Sequence, residues 1–108
     1  MALPQQIKAG IMTYSLEVSN DFKVDEGTAD SYYGVTDHGE QKVCINSDQT
    51  ELHQALIALH ESLHTLFHQT GVSSNSNFEE EIVRSLTFPL FQFIRDNPQL
   101  ITHIQVVQ

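Results

Sequence analysis

Apolar Tyr14, Leu16 and Val18 alternate with polar Ser15, Glu17 and Ser19. A period of two predicts a β-strand with one buried face. The polar, turn-rich stretch "NDFKVDEGTAD" that follows reads as a loop. Next, "SYYGVTD" and "KVCIN" flank "HGEQ", which contains Gly39. Two strand-like runs around such a turn predict a β-hairpin.

Beyond residue 48 the spacing of apolar positions lengthens to three and four. Leu52, Ala55, Leu56, Leu59, Leu63 and Leu66 follow this rule and predict an amphipathic helix. Asp48 with Glu51 three residues on is a capping pair, and Gly71 is a natural C-terminal stop. Those limits give a helix of about 22 residues and about 33 Å. A second helix starts near Phe78, with Ile82, Val83, Leu86, Leu90 and Phe93 on one face. Pro89 within it predicts a kink or a split. Asn97 followed by Pro98 predicts a cap and first turn for a short last helix. Strands followed by helices make the expected fold class α+β, with a short antiparallel or mixed sheet of about three strands on the long helix.

Composition adds bounds. The chain has 108 residues, which is one domain over 1–108, and 40 % of them are hydrophobic, as in an ordinary globular protein. The formal charge is −9, with only Lys8, Lys23, Lys42, Arg84 and Arg95 on the basic side. Nucleic-acid backbones and anionic membrane surfaces are therefore not the expected partners. Cys44 is the single cysteine, no run reaches the roughly 20 apolar residues of a membrane span, and the start lacks a signal-peptide pattern. Together these point to the cytoplasm.

One stretch conflicts with its surroundings. "ALIALHESLHTLFHQTG" puts His60, Glu61, His64 and His68 into the main apolar helix, where unpaired polar groups are costly. His60, Glu61 and His64 spell H-E-x-x-H. On a helix, positions i and i+4 lie one turn apart on one face, so two imidazoles can hold one metal ion. Glu61 is rotated by about 100° from His60 and borders that face. A zinc ion in such a site lowers the pKa of its water to about 7, and a carboxylate beside it can take the proton. The bland alternative is a solvated helix face.

Two histidines leave a catalytic zinc one protein ligand short. His68 lies about 12 Å along the axis from His60, too far to share an ion on a straight helix. A metzincin needs glycine at 67 and histidine at 70, where this chain has Phe67 and Thr70. His38 and His103 are isolated. The remaining source is "FEEEIV" at the start of the second helix, close to the C-terminal end of the first. Glu79 shares a side with Ile82, Val83 and Leu86 and is favoured; Glu80 is next, and Glu81 points away. The same glutamates also suit a capping box with Ser76 or Asn77.

"ALIALHESLHTLFHQTGV" followed by "EEEIVRSLTFPLFQFIRDNPQLI" resembles a group of small zincin-like metallopeptidases of phages and prophages, related to the ImmA/IrrE-type peptidases. The resemblance extends to "IMTYSLEVSND" and "YGVTDHGEQKVCIN". It implies a minimal gluzincin domain of three strands, a metal-binding helix and a second helix that supplies a glutamate. It implies Zn2+ held by His60, His64 and Glu79 or Glu80, with Glu61 as general base. The implied activity is hydrolysis of a peptide or protein substrate in the host cytoplasm; ImmA-type proteins cut repressor-like partners. The alternative is a non-catalytic interaction protein stabilised by zinc.

Other residues have ordinary readings. Tyr32 and Tyr33 border the expected site and are either strand packing or an oxyanion donor. Cys44, Phe67, Leu90 and Ile94 are core candidates, and Phe88, Phe91 and Phe93 suit a kinked helix that covers the core.

Overall fold

Gly10 takes a φ of 61° at the first position of a two-residue turn, so Ala9 pairs with Met12 across a tight hairpin. This turn creates a strand that the alternation pattern did not predict. In the computed structural model, which describes residues 2–20, 33–70 and 76–108, β1 (Gln6–Ala9) and β2 (Met12–Ser19) are antiparallel. The expected hairpin is formed by β3 (Gly34–Asp37) and β4 (Lys42–Asn46). Its turn uses a positive φ at Gln41 (52°), and Asp37 Oδ1 accepts from the Glu40 backbone N–H at 3.0 Å. β2 runs parallel to β4, so the sheet is mixed, with order β1-β2-β4-β3. Three helices follow: α1 (Glu51–Phe67), α2 (Ser76–Asp96) and α3 (Pro98–Val106). The domain is α+β, with four strands instead of about three. The expected loop after β2, Tyr32 and Gly71 fall wholly or largely outside the described residues.

One sheet face meets α1. Tyr14 and Leu16 from β2, Val43 and Ile45 from β4, Ala9 from β1 and Ile57 from α1 form the buried core. The period of two in β2 thus marks the inward side as far as Leu16; Val18 is 42 % exposed. Cys44 is on the opposite side of β4 from Val43 and Ile45 and is only half-buried, which corrects its place in the core. Burial still pushes its thiol pKa up.

Both long helices are rotated from the expected orientation. In α1 the buried positions are Ile57, Glu61, Leu63 and Thr65, whereas Leu52 and Leu66 are about half exposed. The sheet selects the β-branched and carboxylate side of the helix because β3 approaches it there. The helix is also shorter than expected, at 17 residues, and its cap is Thr50, whose hydroxyl accepts from the His53 N–H, not Asp48. In α2 the inward line is Val83 and Thr87, while Leu86, Phe88 and Phe93 are exposed. The phenylalanines around Pro89 therefore do not cover the core, and Ile94 also has substantial exposure. Pro89 lies inside one helix and does not split it. The Ser85 carbonyl that it deprives of a donor belongs to an exposed residue, where water can replace the bond. Asn97 and Pro98 open α3 as expected, but the Asn97 side chain turns back to donate to Phe93 O at 2.8 Å.

Gly34 sets the distance between β3 and α1. A Cβ there would lie 2.6 Å from Ile57 Cγ2, 3.2 Å from Cys44 O and 3.4 Å from Glu61 Cγ. Ile57 is β-branched and cannot swing away within a helix. Gly34→Ala is therefore expected to destabilise the fold by about 1–3 kcal/mol, read as a lower denaturation midpoint. It should also push α1 and Glu61 away from the strand.

Candidate metal centre

The site begins with the spacing on α1. His60 and His64 stand on adjacent turns with ring centroids 5.1 Å apart, and each side chain is 14 % exposed. α2 packs against this side and brings Glu80 between them. Glu80 Oε1 is 3.1 Å from His60 Nε2, and Glu80 Oε2 is 2.8 Å from His64 Nε2. One donor atom from each of the three residues lies within 4.8 Å of the others, so the group could hold a metal ion. Metal–ligand bonds of about 2.0–2.2 Å in a tetrahedron separate donor atoms by about 3.4 Å, which lies between the 2.8 Å and 3.1 Å from Glu80 to the imidazoles and the 4.8 Å span of the group. His60 Nε2 and Glu80 Oε1 are both shielded from solvent and face each other as an ion pair, without hydrogen-bond geometry. A cation bound by both atoms would offset the cost of their burial.

The far side of each imidazole is held as well. His64 Nδ1 is 2.6 Å from Glu79 Oε2, a charge-assisted hydrogen bond that leaves Nε2 for the centre. His60 Nδ1 is 3.5 Å from Thr87 Oγ1, whose hydroxyl donates to the Val83 carbonyl at 2.6 Å. Of the two candidate glutamates, Glu80 is the one grouped with both histidines, and the favoured Glu79 lies on the far side of His64. Glu80 joins the histidines, and Glu79 orients one of them. The reason is the rotation of α2: its inward line runs through Glu80, Val83 and Thr87, at spacings of three and four, and not along Ile82 and Leu86. That spacing is also the signal by which Thr87 could have been found.

Glu61 is 4 % exposed and points to β3. Thr36 Oγ1 donates to its Oε1 at 2.7 Å, while its Oε2 stays 3.9 Å from His60 Nε2. The carboxylate is therefore fixed beside the group without joining it. Thr36 comes from a strand 25 residues away, and no local pattern announces it.

His68 is not part of the group, as its distance along the helix requires. Its ring stacks on His38 at 3.9 Å, with 6° between the planes. His38 Nδ1 is 2.9 Å from the hydroxyl of buried Tyr14. His38 is therefore not isolated, contrary to expectation. Burial and the neighbouring His68 lower its pKa, against the pull of Glu79. His103 sits exposed on α3 and is not in the group. Tyr33 is 39 % exposed, with its ring 5.1 Å from that of His53.

Burial acts to lower the pKa of His64, but the bond to Glu79 and the charges of Glu61, Glu80 and Glu79 outweigh it and raise the pKa above 6.5. In the metal-free protein this proton adds stability that is fully present below the unfolded value of 6.5. It is lost as pH rises through the higher folded value. Thermal melts of chelator-treated protein should therefore show this contribution fading over the pH interval that begins at 6.5 and runs up through the raised folded value. Metal uptake must displace the same proton, so metal affinity should climb over that interval.

No helix among the described residues is long and apolar enough to cross a membrane. Compared with known proteins, the chain matches no family model, no curated protein and no solved structure.

Proposed function

We propose that this protein is a zinc-dependent peptidase. The observation that carries the reading is the meeting of His60, His64 and Glu80 with the buried carboxylate of Glu61 beside them, held by Thr36. Three protein donors suit a catalytic zinc, which keeps one position open, better than a structural zinc, which uses four. Zinc supplies Lewis acidity that polarises a carbonyl and acidifies water. Glu61 takes the proton of the attacking water and returns a proton to the leaving amine. Thr36 keeps the carboxylate aimed, and Glu79 and Thr87 keep both imidazoles in place. β3 stands at the edge of the sheet, next to Glu61, and among the described residues it pairs only with β4. Such an edge suits an extended peptide added as a further strand.

Elemental analysis of the purified protein, followed by chelation and reloading, tests this directly. About one zinc per chain and peptide hydrolysis that disappears with chelation and returns with zinc are expected. A chain that takes up no divalent ion on titration would refute the reading. Stoichiometric zinc without hydrolysis of any peptide would favour the structural role.

A further inference from the structure

A cavity of about 210 Å³ opens beside the candidate metal centre, with His60 in its lining. Its walls are Tyr33, Leu56, Ile57 and Phe88. Tyr33 and Phe88 are 39 % and 64 % exposed, so the cavity is open to solvent and its rings need no other role in the core. Its floor reaches His60 and Thr87, the same pair that meets at the imidazole Nδ1. Anything seated there is within one residue of a group held at the metal centre.

Size and wall chemistry restrict the occupant. Whole small-molecule ligands occupy roughly 300–1,000 Å³, so this cavity takes a part of a molecule. An apolar cavity of about 150 Å³ holds a benzene ring, so one aromatic side chain fits. Two ring walls also suit an aromatic partner, which packs offset or edge-on against them. The rim carries Arg84 and His53, and no lining residue is acidic, although the chain as a whole is at −9. Arg84 is always cationic and its side chain is 63 % exposed. It lies 3.9 Å from Glu80, so its charge is already matched by the metal-centre carboxylate and the lining selects by shape and apolarity.

We infer that the cavity is a specificity pocket for an aromatic residue of the peptide substrate, next to the cleaved bond. The assignment rests on the peptidase reading for the word substrate; the pocket and its selectivity can be tested without it.

The probes are N-acetyl-phenylalanine and N-acetyl-alanine, bound to the zinc-loaded protein and followed by NMR at the Leu56 and Ile57 methyl groups. Both carry the same carboxylate, so their ratio isolates the ring. Phenylalanine is expected to bind at least about tenfold more tightly, as burial of a large apolar side chain implies. Leu56→Trp, which fills the cavity, should bring the two within about twofold. Phe88→Ala, at an exposed position that leaves the fold intact, should erode the same preference. Equal affinity for the two probes, or a preference untouched by Leu56→Trp and Phe88→Ala, overturns the pocket. In digests of a mixed peptide pool, enrichment of aromatic residues at the cleaved bond supports it. Cleavage with no such bias overturns the pocket and leaves the peptidase reading standing. Ring-selective binding with no cleavage at all upholds the pocket and sinks the peptidase reading.

Discussion

Glu61→Gln should leave the domain folded and zinc bound while hydrolysis falls by about 10²–10⁴-fold, the usual contribution of a positioned acid–base group. The side chain is 4 % exposed, and its Oε1 accepts a hydrogen bond from Thr36 at 2.7 Å. A glutamine carbonyl can accept that same bond, so packing around β3 and α1 is preserved. What the amide cannot do is take a proton. The three grouped donors are untouched, and ion content should match that of the parent protein. Single-turnover rates on any cleaved peptide, measured beside zinc content and melting temperature, separate these effects. An unchanged rate at full zinc occupancy would remove Glu61 from the chemistry and with it the proposed mechanism.

The second large effect separates the two neighbouring glutamates. Glu80→Gln removes a charged donor that lies 2.8 Å and 3.1 Å from the two imidazoles. It should abolish stoichiometric zinc binding at micromolar metal. Glu79→Gln keeps an acceptor within reach of His64 Nδ1 but loses the charge-assisted bond of 2.6 Å. A loss of about 10–100-fold in metal affinity is expected, as for other groups that orient a ligand. Competition titrations with a zinc chelator of known affinity give both values. The reverse order, with Glu79→Gln the more damaging, would mean that the ion sits on the other side of His64. Because each variant also alters the charges around that histidine, the fading of metal-free stability with rising pH should flatten in both.

Parts of this arrangement are legible in the chain and parts are not. The β3–β4 hairpin and the start of α3 follow from local turn and capping chemistry, which acts over a few residues. The first hairpin is legible too, through Gly10 between "QIKA" and "MTYS", although alternation alone passes over it. Helix faces are less legible. Leucines at spacings of three and four mark α1 as amphipathic, yet Leu52 and Leu66 are half exposed while Glu61 and Thr65 are buried. Hydrophobic spacing finds the stripe a helix is able to bury. Which part of that stripe is covered depends on where Gly34 lets the sheet come close.

The sequence alone determined that His60 and His64 share a face with Glu61 beside them, because 3.6 residues per turn leaves no freedom in that placement. It also determined that an acidic cluster opens the following helix. Only the docking of α2 on α1 sets Glu80, and not Glu79, beside both histidines; the two differ by about 100° around the α2 axis. A modest rotation of α2 against α1 exchanges their roles, and that rotation is set by Val83 and Thr87 packing against α1. The hydroxyls of Thr36 and Thr87, and the pairing of His38 with Tyr14 and His68, likewise arise from contacts across 24 to 30 positions of chain. Local periodicity does not encode such contacts, because they depend on how separate elements dock.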